Sequence, residues 1–474
     1  GGGRPVTPTF RQLAVGAALG LVAVSCAGDD TSQGPSVPSV TAAPSDTAPG
    51  TSVPSSSEVP EVPSDTSPEP SVPEPSAPSP SARSEVLFDP AVVHEISMEI
   101  TEKNLGLLDP PSDDRVPVDL TVDGETARGA GVRLKQGVSQ HQGLEGKPGF
   151  SIETDEFVDG QDLFDVDRFT LGNAIWDHSF VAEQLVYELF RAAGIPAART
   201  ALARVTVNGE TFGLYVMRET YDERWLEQYF EDSSGNLYEH EGGPYDTALE
   251  LRTNKREDDT SDLDAVVDVV ATEPDETYRD ALEELVDVDE LLTYWAIEAL
   301  VAHWDGFAYD ITAPGRVPPP VRPAGNSWPN NFYAYHDPDS DGFVVLPHGA
   351  DLTFGLGPGP DYGVDPSTPV CVAPKERSTI AARLWGDPGF HDELEHRIRW
   401  ALDEIWDVSE LTERADMFAE LVRSDGLTGT REVVSMAGFE DALAARKDFL
   451  SRRGPAVRAE LTSRTADDVV SEGS

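Results

Sequence analysis

"NNFYAYHDPDSDGFVVLPHGADLTFG", residues 330–355, decides how this chain is read. Two aromatic and β-branched runs, "NNFYAYHD" and "GFVVLP", flank the polar "PDSD", so the stretch predicts an antiparallel hairpin. A hairpin folds its ends together. Asn331 enters the first strand and Asp351 leaves the second, and neighbouring strands lie about 4.8 Å apart. Upstream, "HWDGFAYD" (residues 303–310) ends a run with helical spacing and sets Asp305 to face the same spot from the other side. An aspartate that orients a hydroxyl, with an asparagine and an aspartate on Mg²⁺ or Mn²⁺, is a part list for phosphoryl transfer. Hard oxygen donors suit those cations. The same residue types also serve plain turn chemistry, so the hairpin alone leaves both readings open. "DPDSDG" (residues 337–342) alternates oxygen ligands as a calcium loop does, but His348 stands where such a loop needs its glutamate, which favours a turn.

Further upstream, "GVRLKQGVS" (residues 131–139) puts Arg133 and Lys135 on one face of a strand that ends at a glycine bend. "EGKPGFSI" (residues 145–152) brings Lys147 to the start of the next strand. The chain has six lysines, Lys103, Lys135, Lys147, Lys255, Lys375 and Lys447, so each one invites a reason. Cations converging beside a glycine bend suit a polyphosphate; the alternative is a solvated strand edge. Glu219, after "GLYVMR", either pairs with one of these cations or caps its strand.

Around these segments the pattern is α+β. "VVHEISMEI" and "VPVDLTVDGETARGAGVRLKQG" read as strands, the latter two joined by a turn at Asp123-Gly124, and "FSIETDEF" as another. "SFVAEQLVYELFRAAG" (residues 179–194) reads as a helix with Ser179 as its N-cap, and "ALARVTVNGETFGLYVMRE" as a hairpin about Asn208-Gly209. A short helix at about residues 222–229 precedes a polar, acidic middle. "SDLDAVVDVVA" and "DVDELLTYWAIEALVAHW" read as amphipathic helices, and residues 378–461 are helical almost throughout. The order predicts a strand-rich part, then a mainly helical part with one hairpin inside it.

The ends belong to no core. Arg4 and Arg11 precede the apolar "LAVGAALGLVAVSC", too short to span a bilayer comfortably, so residues 1–26 read as a secretory signal. "AVSC" (residues 23–26) is similar to a bacterial lipobox, which predicts lipidation of Cys26 and an anchor on the outer face of a bacterial membrane; ordinary cleavage nearby is the alternative. Cys371 is then left without a disulfide partner and reads as a small core residue. Residues 27–84 are rich in Pro, Ser and Thr and read as a disordered linker that holds the folded part, residues 85–465, away from the envelope. Residues 466–474 read as a flexible tail. Across all 474 residues the formal net charge is −51, which argues against nucleic acid as a partner and leaves membrane contact to a lipidated Cys26 alone.

From residue 86 onward the chain resembles the CotH family of spore-coat-protein-H-like atypical protein kinases. The likeness rests on "LFDPAVVHEISMEI", "GVRLKQGVS" with "KPGFSI", "RFTLGNAIWDHSFVAEQLVYELFRAAGIPAAR", "RVTVNGETFGLYVMRETYD", "GNLYE", "AIEALVAHWDG", "NNFYAYHDP" and "ADLTFG", in family order. It implies a two-lobed kinase-like fold, strand-rich at the N-terminal side and mainly helical after it, that moves phosphate from ATP to Ser or Thr of envelope or surface proteins. Asp305 would be the catalytic base and Asn331 and Asp351 the metal ligands. Arg133, Lys135 and Lys147 would contact phosphates, with Glu219 at the same nucleotide site. Three features depart from the family pattern: Gln136 stands after the lysine in place of glycine, residues 310–324 are inserted before the asparagines, and His348 replaces a tryptophan. An inactive relative that serves as a surface binding or structural lipoprotein is the second reading.

Overall fold

Two-residue turns organise the first half of the chain. Asp123 and Gly124 both have positive φ, as do Asn208 and Gly209, and the flanking pairs Val122–Glu125 and Val207–Glu210 are in register. That geometry matches the twist of antiparallel strands, which is why Asx-Gly turns close these hairpins. The computed structural model describes residues 79–471 except 110, 111, 113, 136–141, 241–245, 310–328, 357–363 and 376. The signal-like segment, Cys26 and residues 27–78 of the linker lie outside the described residues, as do Gln136 and the 310–324 insertion.

A short helix, α1 (Ala82–Leu87), begins three residues before the point where the composition turns globular. Next come β1 (Val93–Glu99), α2 (Glu102–Leu108), β2 (Val116–Val122), β3 (Glu125–Leu134), β4 (Phe150–Glu153), β5 (Arg168–Gly172), α3 (Ala182–Ala192), β6 (Thr200–Val207) and β7 (Glu210–Glu219). The seven strands form a closed barrel in the order β1-β2-β3-β4-β5-β7-β6, closed by parallel pairing of β1 with β6. Alternation decides what fills it. Ile96, Met98, Leu120, Val132, Ile152, Phe169 and Met217 are fully or almost fully buried inside. The predicted N-cap of α3 is corrected: Ser179 bonds Asp177, and it is Asp177 Oδ2 that accepts from Ala182 N at 2.8 Å. A longer-reaching carboxylate does the capping that a serine at the cap position itself would do.

The second half contains α4 (Glu223–Tyr229), β8 (Leu237–His240), β9 (Leu249–Leu251), α5 (Ser261–Thr272), α6 (Asp275–Glu283), α7 (Val288–Val301), β10 (Phe332–Asp337), β11 (Gly342–Pro347), α8 (Thr379–Trp385), α9 (Pro388–Glu404), α10 (Val408–Asp425) and α11 (Met436–Ser471). The hairpin β10–β11 forms as predicted, Asp337 pairing with Gly342 across its turn. It does not stand alone. β8, drawn from the acidic middle of the chain, pairs with β10, giving a four-stranded sheet in the order β11-β10-β8-β9. Phe332, Ala334, Phe343 and Val345 face α7, while Tyr333, Tyr335, Val344 and Leu346 pack with Tyr221, Trp225 and Leu226 around α4. Helix α7, expected to be amphipathic, is buried on nearly every side, because α3, α9, α11 and β11 surround it. No described helix is long and apolar enough to cross a membrane.

Candidate functional site

The outer face of the barrel carries a polar row that the register aligns across four strands: Arg133 opposite Ser151, Ser151 opposite Thr170, Thr170 opposite Arg218. This row and Lys135 line a cavity of about 860 Å³, whose other wall comes from the four-stranded sheet through Glu239, Glu250, Arg252 and Tyr333. Arg133 and Lys135 share the strand face expected of residues two apart. Lys135 sits beside Arg218, Glu183, Asp351 and Glu239; burial pushes its pKa down to about 8, and the Arg218 charge adds to the effect.

Helix α3 supplies Glu183, whose carboxylate takes Arg218 of β7, and Arg218 also donates to Tyr187 Oη at 3.3 Å. Neither member of this buried pair was among the expected site residues. A charge inside the apolar stripe of "FVAEQLVYEL", and another ending the apolar strand "FGLYVMRE", are the signals that mark them.

Asp305 lies in the loop after α7, which ends at Ala302 in the left-handed region. Asn331 Nδ2 donates to the Asp305 main-chain oxygen at 2.9 Å and to its Oδ2 at 3.0 Å, and Asn330 Nδ2 reaches Oδ1 at 3.4 Å. The loop itself is clamped from beneath. Glu298 Oε2 accepts from Ala308 N and Tyr309 N at 2.9 and 3.1 Å, and the buried Lys375 ammonium donates to Gly306 O at 2.5 Å. Burial pushes the Asp305 pKa up, against the opposing Lys375 charge and the two asparagine amides.

Asp351 is enclosed by the same group of charges. Burial raises its pKa to about 7, Glu183 and Asp305 push the same way, and Arg218 and Lys135 oppose them. Asp305, Asn331 and Asp351 are therefore brought near Lys135 and the Arg218–Glu183 pair, and of this group Lys135 and Arg218 line the cavity. Between Asn331 and Asp351, His348 lines the cavity and packs against Tyr333 and Tyr221; burial among Arg218 and Lys135 keeps its ring neutral.

Two expected site residues are used elsewhere. Lys147 Nζ donates to Leu214 O at 2.6 Å and to Glu432 Oε2 at 2.8 Å, buried between the rings of Phe180 and Tyr215. It fastens the barrel to the segment between α10 and α11, and its ammonium is spent there. Glu219 pairs with Arg199, whose Nε donates at 3.0 Å and whose backbone N donates at 2.7 Å. Strand alternation turns Glu219 from the Arg218 row, and although it borders the same cavity its carboxylate is taken by Arg199.

A divalent cation fits the chemistry of this cluster. Among the described residues no group of three His, Cys, Asp or Glu makes a preformed cage. The donors here are two carboxylates and, since its nitrogen is engaged by Asp305, the Oδ1 of Asn331. Mg²⁺ or Mn²⁺ held with phosphates needs few protein oxygens, and a buried carboxylate facing two others gains from a cation.

Residues 137–456 match the family described as CotH kinase protein, more than half of the chain. The chain is 24% identical over 209 residues to invasin CotH2 of Rhizopus delemar, covering 40% of this chain and 32% of that protein. To the inner spore coat protein H of Bacillus subtilis it is 21% identical over 261 residues, covering 52% of this chain and 65% of that protein. It thus spans less than two thirds of the length of either relative. With that match laid over the charged cavity and the hairpin beside it, the chain belongs to the CotH family.

Proposed function

We propose that this chain is an exported CotH-like atypical protein kinase, two-lobed, that transfers the terminal phosphoryl group of ATP to Ser or Thr of envelope or surface proteins. The observation that carries the reading is the meeting of Asp351, Asp305 and Asn331 with Lys135 and Arg218, the last two lining a polar cavity with Arg133, in a chain of net charge −51. Asp305 accepts the hydroxyl proton as the acceptor oxygen attacks phosphorus, and the asparagine amides hold its carboxylate in place. Lys135, Arg218 and Arg133 bind the phosphates. Asp351 and Asn331 would hold Mg²⁺ or Mn²⁺, which supplies charge neutralisation on the phosphate oxygens. The apolar segment before Cys26 and the lipobox-like "AVSC" support export and an anchor on the outer face of a bacterial membrane.

The test is labelled phosphate transfer by the purified full chain with Mn²⁺, beside Asp351→Asn. Transfer by the parent that falls at least 100-fold in the variant, roughly the size of a lost electrostatic contact to the reacting group, supports the reading. Equal transfer by both overturns the site. A second reading, a surface protein that holds an anionic ligand without reacting it, draws on one observation: Lys147 and Glu219, both expected at the nucleotide, are consumed by internal ion pairs.

A further inference from the structure

Asp305 owes its place to a short loop, residues 305–309, and that loop rests on side chains that the phosphate chemistry itself does not use. Glu298, His303, Lys375 and Ser378 are all fully buried there. Their bonds take the loop backbone group by group. Lys375 Nζ donates to Gly306 O and Lys375 N to Ala308 O at 2.9 Å, while Ser378 Oγ donates to Phe307 O at 2.6 Å. Glu298 Oε2 in turn accepts from Ala308 N and Tyr309 N. Gly306 fits because it lacks a side chain: a Cβ there would lie 2.0 Å from Glu298 Oε1 and 2.6 Å from His303 Nδ1.

One carbonyl in this set is shared. Gly306 O, on the residue after Asp305, also accepts from Asn330 N at 3.0 Å, and the neighbouring Asn331 holds the Asp305 carboxylate. Lys375 therefore ends on the atom where the loop of Asp305 meets the start of the strand that follows its asparagines. Its charge reaches Asp305 and Glu298 as well, favouring the ionised form of each. A fully buried ammonium is costly to desolvate, and neutral groups of similar volume hold a core together at least as well. Packing alone gives no reason for a charge here. A carboxylate set beside a second one, Asp351, and required to point at an acceptor hydroxyl, does give one.

We propose that Lys375 is a positioning residue for phosphate transfer: through Gly306 O it fixes the loop that aims Asp305, with Glu298 as its counter-charge. The proposal rests on the phosphotransfer reading and deepens it. Lys375 is not among the described residues that line the cavity, so its effect falls on the chemical step and leaves nucleotide binding alone.

The full chain with Mn²⁺ is compared with Lys375→Met and with the double variant Glu298→Gln/Lys375→Met, by labelled phosphate transfer, calorimetric ATP binding and urea denaturation. Lys375→Met is expected to lower kcat about 100-fold, the cost of an ångström's misplacement at a reacting group, with the Kd for ATP within about threefold of the parent. Its urea midpoint falls, because Glu298 is left buried without its counter-charge. The double variant, which removes both charges, is expected to regain the parent's midpoint and to stay as slow as Lys375→Met. Recovery of the rate together with the midpoint would make the pair a packing device and overturn the proposal. An unchanged rate in Lys375→Met, or an ATP affinity lost in step with the rate, overturns it too. If Lys375→Met does not fold, the rate of the double variant decides alone. A parent that transfers no phosphate rejects the kinase reading and this proposal together, whereas an active parent with equally active variants rejects the proposal only.

Discussion

Gly349 sits at φ +51°, where an added Cβ would collide with Asn331 Oδ1. Glycine at this position lets the asparagine lie flat against the loop and keep both its bonds to Asp305. Gly349→Ala is therefore expected to lower phosphate transfer about 100-fold while the circular dichroism spectrum stays that of the parent, since a shift of an ångström at a reacting group costs that much. An unchanged rate would show that the position of Asn331 does not matter. Asp305→Asn, by removing the proton acceptor, is expected to cost roughly 10²–10⁴ in kcat. At this scale the sequence named candidates by residue type, since few types perform this chemistry, and the fold sets Asn331 on Asp305, Asp351 beside Lys135, and Arg133 and Lys135 on one cavity wall. Lys147 and Glu219 were misplaced for a physical reason. A charged side chain advertises its charge in the sequence, but whether an internal partner such as Glu432 or Arg199 consumes it depends on segments far away in the chain.

Between elements, buried charges do much of the joining. Glu432, before α11, receives Leu214 N on one oxygen at 2.7 Å and Lys147 Nζ on the other, and a Cβ at Gly213 would strike it. Glu432→Ala strands a buried ammonium and a buried N–H; urea denaturation is expected to show a loss of about 3–5 kcal/mol, less in the double variant with Lys147→Met. If the double variant loses as much as the single, the pair is not the cause.

Helix α7 makes a second, pH-dependent prediction. Its Glu290 accepts from Val345 N at 3.2 Å, and burial pushes its pKa up to about 8. The native state thus keeps a proton that the unfolded chain releases at lower pH. The stability this group contributes is complete below the unfolded carboxyl range and is lost as pH rises through about 8. Glu290→Gln, neutral at every pH, is expected to flatten the fall in urea midpoint between pH 5 and 9 and to be the more stable protein at the alkaline end. Parallel curves for parent and variant would rule this out. Periodicity revealed the barrel hairpins and most helices, yet it missed β8 and β9, three- and four-residue strands in an acidic stretch, whose pairing with β10 supplies the stability that their own composition lacks.

For the whole molecule, a net charge of −51 means that the folded state is held together against its own repulsion. Raising NaCl from about 0.05 to 1 M shortens the screening length from over 10 Å to about 3 Å, so Tm is expected to rise with salt. A Tm that falls would show that the surface ion pairs outweigh the repulsion. Read by itself, the chain determined its class, its acidity, its hairpins and the residue types able to handle phosphate, because propensity, alternation and charge are local properties. Only the tertiary structure decided that the Arg218–Glu183 pair stands beside Lys135 and Asp351, that Lys147 is buried against Glu432, and that Glu219, at the cavity's edge, is taken by Arg199. Those facts depend on cross-strand register and on which distant side chain meets each buried charge, and no single stretch of sequence contains both partners.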